Sequence, residues 1–348
     1  MSTTLQSLPT QPVPAAPRTP SVVMGKSDYL SVLLRLVAME LYKLRRRTLS
    51  KVLTIIGISC IVLIFLLLGI SLATKMNEPA ADFAPPLCSQ VPKTVDPSCI
   101  DHQPTQAELV HAKQINIAEN AKFLSLPDSL TIIYYVAVIY GLLTPLIIVL
   151  AGTIIGGEYS LGTIRLLFTR GPTRIQFLLA KLLAIAICAS VGFLAITLMG
   201  VLMGYALYPI SGMTPDFHFF TATWFGHTLL SLLICIPGWF TYAMIALFFG
   251  TLGRSTVAGV VAGIIWLFME LILTPLMGYI AGAIGGSTGK FLGAIPDYFI
   301  SNNVKALLQN LNSSASLSNT HALFVLAGYL IVCSGLSCWL TVQRDVTH

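Results

Sequence analysis

Six separate stretches of this chain are almost wholly apolar, and each is long enough to cross roughly 30 Å of hydrocarbon as a helix of about 20 residues. They cover 52–73, 130–155, 178–207, 225–249, 257–280 and 323–342. Strands cannot take their place as an open sheet, because unpaired edge N–H and C=O groups find no partner in lipid. The alternation of apolar and polar residues that marks an outer-membrane barrel is absent as well. Composition points the same way. Charged residues make up 10% of the chain, against about 25% in a soluble domain, too few to coat a water-facing surface. The sequence therefore predicts an all-α integral membrane protein with six transmembrane helices.

Orientation follows from the basic residues, which gather on the cytoplasmic side of a membrane protein. Arg18, Lys26, Arg35, Lys43, Arg45, Arg46, Arg47 and Lys51 precede the first span. Arg165, Arg170, Arg174 and Lys181 follow the second, Arg254 the fourth, and Arg344 the last. The opposite loops hold Lys75, Lys93, Lys113, Lys122, Lys290 and Lys305, spread over much longer segments. Both termini are expected in the cytoplasm, which an even number of spans requires. The net charge of +6 comes from the cluster abutting the first span. That position suits anionic lipid headgroups rather than nucleic acid.

Residues 1–27 are rich in Pro, Ser and Thr, have no apolar run of a signal peptide, and read as a disordered cytoplasmic tail. The six-helix domain then occupies 28–348. From 28 to 47, Leu33, Leu36, Val37, Leu41 and Leu44 recur at helical spacing among Arg35, Glu40, Lys43 and Arg46. Such a segment predicts a helix lying in the membrane interface, and the charges in its middle argue against a seventh span.

Two long segments fall on the outer side. The first, 74–129, is acidic, and Thr105 followed by Glu108 has capping-box spacing, so a short helix is expected from there to about Phe123. It also carries Cys88 and Cys99, the two cysteines outside the spans, which either pair as a disulfide or stand as two thiols. The second, 281–319, is too apolar for a free loop. Phe291, Ile295, Phe299, Val304, Leu307 and Leu311 predict one or two re-entrant or surface helices before the last span.

Groups that carry chemistry are scarce. The six histidines are scattered, no C-x-x-C pair is present, and no metal site is expected. The run from Gly285 to Lys290 fails the phosphate-loop pattern, with Ile284 where its first Gly should stand and Phe291 in place of Ser or Thr. The chain is thus not expected to be an enzyme. Glu270 is the one acid deep within a span. An intramembrane carboxylate is costly, so it either contacts substrate or a proton path, or makes an interhelical hydrogen bond. Pro145, Pro237 and Pro275 should kink or break their spans. Gly152/Gly156, Gly200/Gly204, Gly259/Gly263 and Gly278/Gly282 have the small-xxx-small spacing of closely packed helices.

Between the second and third spans, Leu161, Ile164 and Phe168 recur at helical spacing beside Arg165, and Gly171-Pro172 ends the run. This is a short amphipathic helix on the cytoplasmic side, either a docking knob for a soluble partner or a surface link between spans. Here the chain resembles the permease subunits of type-2 ABC exporters (the ABC-2 family). The likeness rests on Glu158, Gly162-Thr163, Arg165, Gly171-Pro172, Arg174 and Lys181: an acid after span two, Gly-Thr and a basic residue, a turn ending in Arg, and a Lys opening span three. Six spans, a basic interfacial helix before the first and outer helices before the sixth extend it over about 28–345.

The resemblance implies a permease that dimerises, with itself or with a second permease, in the cell membrane. It would pair with two copies of a separately encoded ABC ATP-binding subunit, which holds the ATP and Mg; this chain would hold no cofactor. Glu158, Leu161, Gly162, Thr163, Ile164, Arg165, Phe168, Arg170 and Arg174 would couple to that subunit. An ion- or proton-coupled secondary transporter is the alternative. It normally shows internal repeats and several intramembrane ionisable groups, whereas this chain has no clear repeat and, among its acids, only Glu270 deep in a span.

Overall fold

The computed structural model describes residues 26–89, 99–160, 173–212, 217–311 and 315–343, with only the backbone of 26–28, 159 and 160. Apart from one isolated bridge between Leu87 and Ile100, the described secondary structure is helical. Among the described residues, five helices are long and apolar enough to cross a membrane, or six if the bent pair of Gln106–Lys122 and Leu126–Ile139 is one span.

Helix α1 (Lys26–Arg46) is the amphipathic helix expected at the start. Val37, Glu40 and Leu44 form its buried stripe, and it packs along α6 (Arg174–Leu207). Extended backbone at Arg47 then starts α2 (Thr48–Asn77). Its 30 residues rise about 45 Å at 1.5 Å each, more than the hydrocarbon thickness. Only Gly57, Ile61, Phe65, Gly69 and Leu72, spaced three or four apart, are buried. The remaining face, with Ile55, Leu63 and Ile70, is exposed apolar surface suited to lipid.

The segment expected on the outer side follows. A disulfide joins Cys88 to Cys99, and Cys88 N–H donates to the Ile100 carbonyl over 2.9 Å beside it. Helix α3 (Gln106–Lys122) opens on the expected capping box, in which the Thr105 side chain accepts from Glu108 N–H and the Glu108 carboxylate accepts from Thr105 N–H.

The expected single helix over 130–155 is not continuous. The chain forms α4 (Leu126–Tyr134), a π-helical turn (Tyr135–Ile139), a short non-helical stretch, and α5 (Thr144–Ser160). Gly141 sits at φ +65 in the break, a conformation that costs glycine little. Pro145 lies in the first turn of α5, where a missing N–H leaves no bond unmade. The Thr144 hydroxyl donates to the Ala137 carbonyl over 2.9 Å and so satisfies one of the acceptors the break releases. The axis also bends by 61° between α3 and the stretch Leu126–Ile139.

Helices α5, α7 (Ala222–Gly253) and α8 (Thr256–Ile284) form the tightest part of the bundle. Two of the glycine pairs meet there. A Cβ on Gly152 would stand 3.0 Å from Val260 N, one on Gly259 would stand 2.6 Å from Ala246 O, and one on Gly156 would run into the backbone of Thr256. Gly200 and Gly204 receive Ile133 and Phe65 in the same way. Gly278 and Gly282 meet nothing within 4 Å, so that pair packs no helix among the described residues. Pro237 and Pro275 remain inside continuous helices, so neither interrupts its span, whereas Pro145 stands just after the break at Gly141.

After α8 the chain turns through Gly285 and Gly286, both at positive φ. Helix α9 (Gly286–Ala294) doubles back on the end of α8, leaving 2.5 Å between a Cβ on Gly289 and the Ala281 carbonyl. A 3-10 turn (Ile295–Tyr298) leads into α10 (Ile300–Gln309), which packs between α7 and the last helix, α11 (Asn319–Gln343). These are the short helices expected before the last span. Helix α10 is sunk into the core, with Ile300 and Val304 fully buried.

Candidate functional site

Four charged side chains from three helices meet at one end of the bundle. Lys181, in the second turn of α6, is wholly buried. Its ammonium lies 2.9 Å from Glu158 Oε1 at the end of α5 and 3.3 Å from Glu40 Oε2 on α1. It also donates to the Ile154 carbonyl over 3.2 Å. Three acceptors match the three donors of an ammonium group. The nitrogen stands over the Phe177 ring, 4.7 Å from its centroid. Lys43 closes the ring of charges, 3.0 Å from Glu40 Oε1 and 3.4 Å from Glu158 Oε1.

Local structure places these groups. Thr173 caps α6 with a full capping box, its hydroxyl accepting from Gln176 N–H and Gln176 Oε1 accepting from Thr173 N–H. Lys181 then points inward from the first turns of α6. On α1, Glu40 shares the buried stripe of Val37 and Leu44, and Lys43 lies one turn on, within reach of the same carboxylate. Burial by itself would push the Glu40 carboxyl up. The ammonium groups of Lys181 and Lys43 outweigh it and hold that carboxyl below its usual value. Lys43, likewise penalised by burial, is raised by Glu40 and Glu158. Two acids against two bases leave the cluster without net charge.

Further bonds gather other helix ends here. Arg174 donates to the carbonyls of Val342 (2.9 Å) and Thr341 (3.3 Å) at the end of α11. Gly156 lies against Thr256, beside the turn that carries Arg254. The start of α2, the end of α5, the start of α6, the turn between α7 and α8, and the end of α11 thus converge on one basic end.

Of the residues expected to couple to a partner, Glu158 and Arg174 flank the segment 161–172. Leu161, Gly162, Thr163, Ile164, Arg165, Phe168 and Arg170 lie outside the described residues. Glu40 and Lys43 were legible in the sequence only as charges unsuited to a span. Their signal was spacing: Glu40 falls on the apolar stripe of α1, three residues after Val37 and four before Leu44.

Glu270, in mid-α8, has no exposed surface. Its Oε1 accepts from Trp266 Nε1 (2.9 Å) and Ile300 N–H (3.0 Å). Its Oε2 accepts from the Tyr242 hydroxyl (2.6 Å) and Ser301 N–H (3.1 Å). A carboxylate accepts only, and all four neighbours are donors. Two are the first amides of α10, whose own N-cap residue, Phe299, offers no side-chain bond. Glu270 therefore caps α10 from another helix, and the negative charge sits at the positive end of the helix dipole. Of the two roles open in the sequence, the geometry matches the interhelical bond. Nearby, the buried Asn303 holds the carbonyls of Asp297 (2.8 Å) and Phe299 (2.7 Å), a brace that no sequence pattern marked.

At the end of the bundle opposite the charge cluster, a cavity of about 420 Å³ lies between α4, α7 and α10, with Asp128, Thr131, Tyr135, Trp224 and His227 in its wall. Among the described residues no three His, Cys, Asp or Glu side chains converge to hold a metal ion. A family model described as "Protein of unknown function (DUF2705)" matches residues 112–347. No curated protein matches the chain.

Proposed function

The chain belongs to the DUF2705 family, whose description assigns no function, and we propose that it is the membrane-spanning permease subunit of an ATP-driven exporter of the type-2 ABC class. The observation that carries the reading is the ion-paired ring of Glu40, Lys43, Glu158 and Lys181 at the base of segment 161–172. Two members, Glu158 and Lys181, belong to the motif that resembles those permeases. The helix ends that flank the segment are tied to one another by these buried charges. Force applied to it passes to α5 through Glu158, to α6 through Lys181, to α1 through Glu40 and Lys43, and to α11 through Arg174.

In this reading segment 158–174 seats in a separately encoded ATP-binding subunit. ATP and Mg are held there, and nucleotide-driven closure moves the bundle. The basic end faces the cytoplasm with both termini, six crossings are made with α4 and α5 sharing one, and two permease chains frame the substrate path. The cavity beside Asp128 and His227 then lies toward the outer face, where substrate leaves. Glu270 pins α10 rather than touching substrate; its four donors occupy the carboxylate that a proton-coupled carrier would need free.

Affinity purification from the native membrane tests the assignment and is expected to recover an ATPase subunit. Charge reversal at Arg165, or a polar residue at Leu167, is expected to uncouple ATP hydrolysis from transport while the permease still assembles. Full transport by both variants, or uptake that follows a proton gradient without ATP, would overturn it.

A further inference from the structure

A groove of about 420 Å³ runs between α1, α2, α5 and α6, floored by Trp239 of α7. Its origin is visible in the sequence of the facing helices. Ser50, Thr54 and Gly57 on α2, and Cys188, Gly192 and Ala195 on α6, each follow the i, i+4, i+7 spacing of one helical face. Small residues usually let two helices close together. Here they face a hollow instead, because Leu146 and Ile196 already occupy the approach to Gly57, at 3.1 and 3.5 Å from where its Cβ would lie.

The two ends of the groove differ. The walls are aliphatic along most of its length, and neighbouring α2 residues such as Ile55 are exposed apolar surface, so hydrocarbon is what surrounds it. At the α1 end stand Arg45 and Ser50. Arg45 makes no ion pair among the described residues, and Arg46, Arg47 and Lys51 adjoin it in sequence. The Ser50 hydroxyl is buried and has no hydrogen-bond partner among the described residues, and the same holds for the indole N–H of Trp239 at the deep end. An occupant that fits is apolar along most of its length, with acceptor oxygens and negative charge at the mouth beside Arg45 and Ser50; an acyl end leaves the Trp239 N–H without an acceptor.

We propose that this groove binds one acyl chain of an anionic glycerophospholipid, with the phosphate and glycerol oxygens held at its mouth by Arg45 and Ser50. The chain fills a hollow whose walls are mostly aliphatic. The headgroup sits at the level where the basic cluster of α1 already favours anionic lipid. The bound lipid thereby becomes part of the contact between α2 and α6. This assignment requires only that the bundle sits in a membrane and is independent of the transport reading.

Full-length protein reconstituted in an equimolar mixture of dioleoyl phosphatidylglycerol and dioleoyl phosphatidylcholine, then extracted in mild detergent, tests this by native mass spectrometry. The expected result is one phosphatidylglycerol retained per chain. Ala195→Trp, which fills the groove, should lose it, while Leu198→Trp, the same bulk on the exposed face of α6, should keep it. Arg45→Gln should lower the preference for the anionic lipid about fivefold, the effect of one basic residue at an anionic surface. A second measurement needs no variant: phosphatidylglycerol with a photoreactive acyl chain should label peptides 53–58 and 187–196 of the wild-type protein. Retention unchanged in Ala195→Trp, or labelling spread evenly over the exposed faces of α2 and α11, would overturn the proposal. So would displacement of the lipid by glycerol 3-phosphate, which would assign the mouth to a free phosphate. A changed oligomeric state in Ala195→Trp with lipid retention intact would give the groove to a second copy, also against it.

Discussion

Lys181 Nζ lies 2.9 Å from Glu158 Oε1, a buried ion pair that bridges the two helices on either side of segment 161–172. Removing the cation takes from Glu40 and Glu158 the ammonium group that they share. Breaking one partner of a buried pair costs about 3–5 kcal/mol, since the other charge stays desolvated. Lys181→Met is thus expected to lower the thermal unfolding temperature of the detergent-solubilised protein sharply. The exchange Glu158→Lys with Lys181→Glu should recover part of that loss. Size-exclusion thermal melts compare the three; a Lys181→Met variant as stable as wild type would mean the pair contributes nothing.

The same cluster gives the docking of α1 a pH dependence whose sign is fixed. Glu40 has its folded value depressed, so its contribution is complete above the unfolded glutamate value of about 4.3 and is lost as pH falls through the lower folded value. Lys43 has its folded value raised; its contribution is complete below about 10.4 and is lost as pH rises through the higher folded value. Labelling of a cysteine placed at Val37 is expected to stay slow between these limits and to accelerate on acidification. Glu40→Gln should remove the acid limb.

Glu270→Gln separates a cap from a proton site. The glutamine nitrogen cannot accept, so whichever way the amide turns, two of the four donors around it lose their acceptor. Each unsatisfied buried donor costs about 1–3 kcal/mol. One of the two amides, Ile300 or Ser301, then faces the nitrogen, and its hydrogen exchange should rise well above wild type, while amides near Lys181 stay unchanged. Exchange that is unaltered at both places would remove Glu270 as the cap of α10.

Glycine pairs should divide into two classes. Gly156→Ala drives a methyl group into the Thr256 backbone, and overpacking of this kind costs about 1–3 kcal/mol. Gly278→Ala and Gly282→Ala add their methyl groups to open space and should leave melting temperatures unchanged in the isolated chain. Thermal melts of the three variants side by side distinguish these outcomes.

What the sequence made legible was whatever repeats along one element. Apolar runs located α2, α6, α7, α8 and α11, the Thr105–Glu108 spacing located α3, and the apolar positions of 281–319 located α9 and α10. Features that depend on a meeting of distant elements were only half visible. Lys181 and Glu158 stood out as motif residues, but nothing in their spacing revealed that Glu40, more than a hundred residues earlier, joins them. Glu270 stood out as a lone acid, yet two of its four partners are backbone amides, which leave no trace in residue identity. A break near Pro145 was expected, but its position at Gly141 was unmarked because hydrophobicity continues across it: Tyr140, Leu142 and Leu143 keep the run apolar while the backbone leaves the helix. Pro145 was the available signal, and Thr144 is the residue whose side chain makes the interruption tolerable.

The cap that Glu270 places on α10 also imposes an order on synthesis. Helix α8 must enter hydrocarbon carrying a carboxylate whose two backbone donors, Ile300 and Ser301, are added about thirty positions later. During that interval only Tyr242 and Trp266 stand by it. An acidic side chain at mid-helix costs roughly 2.5–3.5 kcal/mol on insertion scales, so α8 is only provisionally held until α10 arrives. The segment of α9 and α10 is in this sense the second half of an insertion step that α8 begins. A nascent chain halted before Ile300 carries its least secure helix in the middle of its most tightly packed region.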